Sequence, residues 1–273
     1  MERIKKALEK AQQQRQEAAG QQQQPSTDKF ATGIAQDTQQ IDYSETRKIE
    51  VSEELLNNNR IIAGLDDDPR SHIYKILRTK VLQRMQSNNW NVLAVTSPTQ
   101  GVGKSLTAIN LAISIAMDAN YSVLLVDLDL RKPSIHDYLG IPAGPGLTDY
   151  FSGEKTISEL LVYPGIEQMV VLPAGRPVKQ SSDLLSTPKM QALANELKQR
   201  YPDRIVVVDL PPLLQTDDAM IYLPNVDACV LVVAEGESTE GEVNQSMQMI
   251  NNDKLIGTVL NKSAEVNPAN EAY

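Results

Sequence analysis

Cysteine is almost missing: Cys229 is the single one in 273 residues. One thiol excludes an intrachain disulfide framework and suits a reducing compartment. It stands in the apolar stretch Ala228-Cys229-Val230-Leu231-Val232-Val233 and is expected to be an inert core thiol. Basic charge is also short. The net charge is −9 and the pI about 4.9, so the basic footprint of a nucleic-acid protein is lacking and no nucleic-acid partner is expected. Long apolar runs are absent too. The best candidate, 106–117, is broken by Thr107, Asn110 and Ser114, well short of the roughly 18 apolar residues of a membrane span. The opening Met1-Glu2-Arg3-Ile4-Lys5-Lys6 is followed by no apolar h-region, so no signal peptide is expected. These absences predict a cytoplasmic chain, one that reaches a membrane only if something else holds it there.

The length and a hydrophobic content of 41% allow one α/β domain of about 200 residues with extensions. Residues 1–16 carry Ile4, Ala7, Leu8 and Ala11 on one narrow helical face, which reads either as a frayed tail or as a docking helix. Residues 17–45 form a Gln-rich linker around Gln21-Gln22-Gln23-Gln24-Pro25 with little that could build a core. Residues 46–262 make the folded domain, and 263–273 a flexible tail. Early in the domain, Val51-Ser52-Glu53-Glu54 reads as a turn or helix start, and Arg60-Ile61-Ile62-Ala63-Gly64 as a short strand. Further on, strands are predicted at 92–96, 123–127, 169–172, 205–209, 228–233 and 256–260. Helices are predicted at 104–117, 188–200 and 239–252. Continuous apolar strands alternating with helices indicate a mainly parallel sheet covered on both faces. Ligands of such sheets bind beyond the carboxyl ends of the strands.

Four motifs sit at those ends. In the first, the strand Val92–Thr96 runs into Ser97-Pro98-Thr99-Gln100-Gly101-Val102-Gly103-Lys104-Ser105 and then a helix. Glycines let the backbone wrap a polyphosphate with its N–H groups pointing inward, a lysine at this position can bridge the β- and γ-phosphates, and the serine can ligate Mg2+. The ligand indicated is Mg·ATP, held by Gln100, Gly101, Val102, Gly103, Lys104, Ser105 and Leu106. The usual P-loop pattern has a further glycine where Pro98 stands. The second motif ends a strand in Asp127-Leu128-Asp129-Leu130-Arg131-Lys132-Pro133. Alternation places Asp127 and Asp129 on one side, where they can position a metal-bound water or accept a hydroxyl proton. The third, Ile205-Val206-Val207-Val208-Asp209, is an apolar strand ending in a carboxylate that can hold Mg2+ directly or through water. In the fourth, Asn261 ends the last strand, where its amide can pair with an adenine edge or form a turn.

Taken together, these motifs resemble the bacterial tyrosine autokinases of exopolysaccharide and capsule synthesis, with the septum-site and plasmid-partition ATPases as wider relatives. The resemblance runs from about Pro69 to Lys262. It includes Val171-Leu172-Pro173-Ala174-Gly175, Asp183-Leu184-Leu185-Ser186 and Thr216-Asp217-Asp218-Ala219. Partition ATPases carry a second lysine just before the loop glycines, where this chain has Pro98, Thr99 and Gln100. The resemblance implies a P-loop NTPase fold and phosphoryl transfer from ATP to tyrosine. Lys104 would be catalytic, Ser105, Asp127 and Asp209 metal ligands, Asp127 also the base, Asp129 its support, and Arg131 would orient phosphate or substrate. It further implies a homo-oligomer and a membrane chain-length (polysaccharide co-polymerase) partner that places the chain at the inner membrane. Two stretches depart from the family. The tail has one tyrosine, Tyr273, where the kinases carry a cluster. In place of a Glu-x-x-Arg-x-x-Arg assembly helix stands His72-Ile73-Tyr74-Lys75-Ile76-Leu77-Arg78. An ATP-hydrolysing switch that phosphorylates no protein therefore stays open beside the kinase.

Overall fold

In this computed structural model the described residues are 46–65, 68–118, 120–199 and 203–263, all within the unit Ile41–Tyr273. The expected N-terminal helix, the Gln-rich linker and Tyr273 of the tail lie outside them.

The branched aliphatic runs fold as strands. Among the described residues there are eight: β1 (Arg47–Lys48), β2 (Val92–Thr96), β3 (Ser122–Asp127), β4 (Val162–Tyr163), β5 (Met169–Leu172), β6 (Arg204–Asp209), β7 (Ala228–Ala234) and β8 (Leu255–Asn261). They form one sheet in the order β1-β4-β5-β3-β6-β2-β7-β8. Every neighbouring pair is parallel except β4 with β5. All residues of β2, β5 and β6 are buried, as strands covered on both faces must be.

The helices are α1 (Glu53–Asn58), α2 (Ser71–Ser87), α3 (Lys104–Ala116), α4 (Ile135–Tyr138), α5 (Leu147–Ser152), α6 (Ile157–Leu160), α7 (Ser181–Leu185), α8 (Pro188–Gln199), α9 (Asp218–Tyr222) and α10 (Glu240–Met249). Alternate strand residues divide into two cores. Leu93, Val95, Leu125 and Val207 face the core made with α2 and α3. Ala94, Leu124, Val126 and Val208 face the one made with α8 and the short helices α5, α6, α7 and α9. The mainly parallel α/β sheet with helices on both faces is thus present.

Two early expectations resolve differently from each other. Ser52 caps α1, its Oγ accepting from Leu55 N at 3.2 Å, so the ambiguous segment at 51–54 is a helix start. The segment 60–64 is no strand. It ends in a 3₁₀ turn, Ile62–Gly64, and Arg60 sits in the left-handed region at φ 59°. Its polar backbone is satisfied by a side chain of α3 instead of by a sheet. Ala63 N donates to Asn110 Oδ1 at 2.9 Å, and Asn110 Nδ2 donates to Arg60 O at 3.3 Å. Burial of Ile61 and Ala63 on either side of half-exposed Ile62 imitates a strand's alternation.

Candidate active site

The strand order brings the motifs together. β2 lies between β6 and β7, and β6 lies between β2 and β3. Asp209 is in register with Val95 on one side and with Asp127 on the other. The two carboxylates therefore leave adjacent parallel strands at the same level, beside the loop that leaves β2.

That loop needs its glycines. Gly101 has φ 83° and Gly103 φ 91°, a region costly for any residue with a Cβ. At Gly103 a Cβ would also lie 2.0 Å from Asn261 Nδ2. Asn261 Nδ2 donates to Val102 O at 2.8 Å, tying the end of β8 to the loop. Helix α3 begins at Lys104, so its first backbone N–H groups and the positive end of its dipole face the loop's concavity. The start of the loop is pinned by Thr96, whose Oγ1 donates to Pro211 O at 2.8 Å beyond β6.

Lys104 is held inside a carboxylate cluster. Its Nζ donates to Asp209 Oδ1 at 2.7 Å and to Ser105 Oγ at 3.2 Å, and it pairs with Asp129 Oδ2 at 3.5 Å. Lys104, Asp127, Asp129 and Asp209 are all buried. Burial alone would lower the lysine's pKa, but the charges of Asp209, Asp129 and Asp127 outweigh it and the ammonium is held above its usual range. Asp127 has a second task. Its Oδ1 accepts from Asp129 N at 3.2 Å, and its Oδ2 from Ser134 N at 3.1 Å and Ile135 N at 3.2 Å, capping the start of α4. Burial and the Asp209 charge still push Asp127 up to about 7, against the pull of Lys104 and the Ile135 N–H. A carboxyl so placed can take and release a proton near neutrality.

One oxygen of the cluster stands out. Asp209 Oδ2 is buried and has no hydrogen-bond partner among the described residues, a costly condition unless a ligand completes it. No three His, Cys, Asp or Glu side chains among the described residues converge on one metal position. Mg2+ beside a polyphosphate needs less, because it takes one or two protein oxygens and completes its shell with phosphate and water. Ser105 Oγ and Asp209 Oδ2 supply that donor set, so the residues fit the ion.

Not all of the sequence-predicted residues converge. Arg131 Nε donates to Ser181 Oγ at 2.9 Å and to Asp218 Oδ2 at 3.1 Å, and Arg131 Nη2 lies 3.7 Å from Asp217 Oδ1. It braces the loop after β3 against α7 and α9, and the Asp129 charge also acts on it. Gln100 Oε1 accepts from Lys132 Nζ at 3.0 Å. Lys132, Ser181 and Asp218 are site-edge residues that were not expected. Asp218 stands in the Thr216-Asp217-Asp218-Ala219 stretch, but its complete burial beneath Arg131 had no sequence signal. On α2, Arg78 Nη1 donates to Ser114 O at 2.8 Å, while Ile73 and Ile76 are exposed. Cys229 is fully buried, and burial pushes its thiol up to about 12.

The chain is similar to known proteins in sequence and fold. A family model described as "ParA: NUBPL iron-transfer P-loop NTPase" matches residues 88–272. The putative tyrosine-protein kinase CapB of Staphylococcus aureus is 30% identical over 201 residues, covering 72% of this chain and 87% of that protein. The putative tyrosine-protein kinase EpsB of Ralstonia nicotianae is 31% identical over 223 residues, 78% of this chain. The chain spans only 29% of that relative's length. Among solved structures, the kinase domain of the Escherichia coli tyrosine kinase ETK superposes with a TM-score of 0.68 at 28% identity, covering 81% of this chain and 91% of that one.

Proposed function

The chain belongs to the ParA-type P-loop NTPases, in the group of the bacterial tyrosine-protein kinases, and on that premise we propose that it transfers the γ-phosphoryl group of Mg·ATP to tyrosine. The observation that carries the reading is the placement of Lys104 between Asp209 and Asp129, with Asp127 in register beside them, at the mouth of the glycine loop.

In this reading the ammonium of Lys104 turns from Asp209 to the β- and γ-phosphates and stabilises the charge that develops on transfer. Asp127 accepts the proton of the tyrosine hydroxyl as its oxygen bonds to the γ-phosphorus and the bond to the leaving ADP breaks. Asp129 stays with Lys104 and keeps it aimed. Ser105 and Asp209 would hold Mg2+, which when bound neutralises phosphate charge. Arg131 acts on the loop that carries the two carboxylates, through Asp218. The backbone N–H groups of 100–106 cradle the phosphates, and Asn261 borders the base.

The partner and setting belong to the same proposal. No helix among the described residues is long and apolar enough to cross a membrane. A membrane-embedded polysaccharide co-polymerase would supply the anchor and place the chain at the cytoplasmic face of the inner membrane. There it would act as a homo-oligomer in exopolysaccharide or capsule export. A hydrolysing switch remains as the second reading, because the sequence carries one tyrosine, Tyr273, after Lys262.

The test is incubation with γ-labelled Mg·ATP, with Lys104→Met and Tyr273→Phe variants alongside. Label on tyrosine that needs Lys104 supports the kinase, and its loss in the Tyr273→Phe variant places the acceptor in the tail. Release of free phosphate with no labelled protein supports the switch. Neither product, from folded protein, removes both.

A further inference from the structure

Helix α2 differs in charge from the rest of the chain. Its 17 residues, Ser71–Ser87, hold Lys75, Arg78, Lys80 and Arg84 and neither Asp nor Glu, in a chain with 35 acidic residues against 26 basic ones. The other described helices of eight or more residues are not like it. The charge of α3 is the buried Lys104, α8 mixes Lys189 and Lys198 with Glu196, and α10 carries Glu240 and Glu242 alone.

The helix is packed along one side and bare along the other. Val81, Leu82 and Met85 enter the core shared with α3, and Tyr74 and Leu77 pack against it. Arg78 is drawn inward too, donating to Ser114 O at 2.8 Å. The opposite side shows Ile73, Lys75, Ile76, Lys80 and Arg84, all exposed. Ile73, Ile76, Lys80 and Arg84 follow one another in steps of three and four residues, which makes a stripe about 17 Å long. Ile73 is 56% exposed and Ile76 45%. The side chains of Lys75, Lys80 and Arg84 make no hydrogen bond or ion pair among the described residues.

Charge and shape together name the partner. Cations without partners, in line with bare isoleucines, call for an anionic surface that also accepts apolar groups. A layer of anionic lipid offers both: phosphates level with the cations, and acyl carbon just below for the isoleucines. An acidic peptide would need a basic groove, and the cavity of about 270 Å3 along the flank of α2 is not one. Arg78 and Thr79 line it from α2, but Asp118 lines it from the turn after α3. The stretch is also altered as an assembly helix. His72 and Lys75 stand in place of its glutamate and first arginine, and Arg78 is tied to α3.

We propose that α2 rests its bare side on an anionic lipid surface, with Lys75, Lys80 and Arg84 on the headgroups and Ile73 and Ile76 between them. Each basic side chain near such a surface strengthens binding about fivefold, so three together give about a hundredfold. The contact is independent of the phosphoryl-transfer reading. It gives the chain its own hold on a membrane, beside any protein partner.

The experiment is co-sedimentation of the full chain with phosphatidylcholine vesicles, with and without phosphatidylglycerol. The variants are Lys75→Gln/Lys80→Gln/Arg84→Gln, Ile73→Ser/Ile76→Ser, and the charge-keeping pair Lys75→Arg/Lys80→Arg. Residues 1–45 carry cations of their own, so the difference between variants decides. Binding is expected to need phosphatidylglycerol. It should weaken at least about tenfold in the triple variant and about threefold in the isoleucine pair, and persist in the arginine pair. If the triple variant does not fold, Lys80→Gln alone should weaken binding about fivefold. Equal binding to both kinds of vesicle, or binding that the glutamine variants leave unmoved, would overturn the proposal. So would a triple variant that binds vesicles normally and loses self-association, since the face would then belong to a second copy of the chain.

Discussion

Lys104→Met tests more than turnover, because the lysine is also the cation inside a group of buried carboxylates. Asp209 is completely buried and its Oδ1 sits 2.7 Å from the ammonium, with Asp129 at 3.5 Å and Asp127 in register beside Asp209. Removing one partner of such a pair leaves an uncompensated buried charge, at a cost of about 3–5 kcal/mol. The cost should depend on pH, in a direction the pKa shifts define. Asp127 already stands at about 7, above its unfolded value, so the folded state holds a proton that the unfolded chain releases. That contribution is complete below about pH 4 and is lost as pH rises through 7. Without Lys104, Asp209 loses the charge that opposes the effect of its burial and joins Asp127 in holding a proton. Lys104→Met should therefore be most damaging at pH 8, and less so at pH 5 by about 1–3 kcal/mol. Urea unfolding at the two pH values reads this directly. Trp90 is the single tryptophan and packs partly buried against the core, so its fluorescence serves as the probe. A Lys104→Met cost below about 1 kcal/mol at pH 8, or one equal at both pH values, would refute the argument that this lysine neutralises the cluster.

Gly103→Ala should destabilise the protein by about 2–3 kcal/mol, part from the left-handed backbone and part from displacing the Asn261 amide. Thermal melts of Gly103→Ala, Asn261→Ala and the double variant should show a coupling near 1 kcal/mol, and simple additivity would mean the two do not meet. Arg131→Ala leaves Asp218 buried beside Ser181 without its cation, so a loss of about 2–4 kcal/mol in urea unfolding is expected, with Arg131→Lys recovering part of it. A loss under 0.5 kcal/mol would show that the brace is dispensable. Cys229 should resist thiol reagents in the native protein and react only in denaturant, and fast labelling under native conditions would contradict its burial.

Much of the centre of the molecule is legible in the sequence. Strands β2, β3, β6 and β7 are largely aliphatic runs, and β3 and β6 end in Asp127 and Asp209, whose carboxylates mark the carboxyl edge. Lys104, Ser105, Asp127, Asp129 and Asp209 meet because parallel strands of similar length bring their ends to one level. What eluded the sequence depends on distant partners. Arg60–Gly64 has a strand's alternation, but its neighbour is the side chain of Asn110, fifty residues on at its furthest, and no local pattern announces that bond. β1 and β4 are two-residue strands that exist only because each finds an edge to pair with. Arg131 reads as a residue that orients phosphate or substrate, and no local pattern announces its contact with buried Asp218.

The strand order also separates the two ends of the described chain. Residue 46 leads into β1 at one rim of the sheet, and residue 263 follows β8 at the other. Seven strand-to-strand steps of about 4.8 Å put these exits about 34 Å apart. Residues 46 and 263, the outermost described ones, therefore stand on opposite flanks of the sheet. In a row of such molecules set rim to rim, residue 263 of one would face residue 46 of the next. A label at residue 46 and a label at residue 263 would thus report on different flanks of the same sheet.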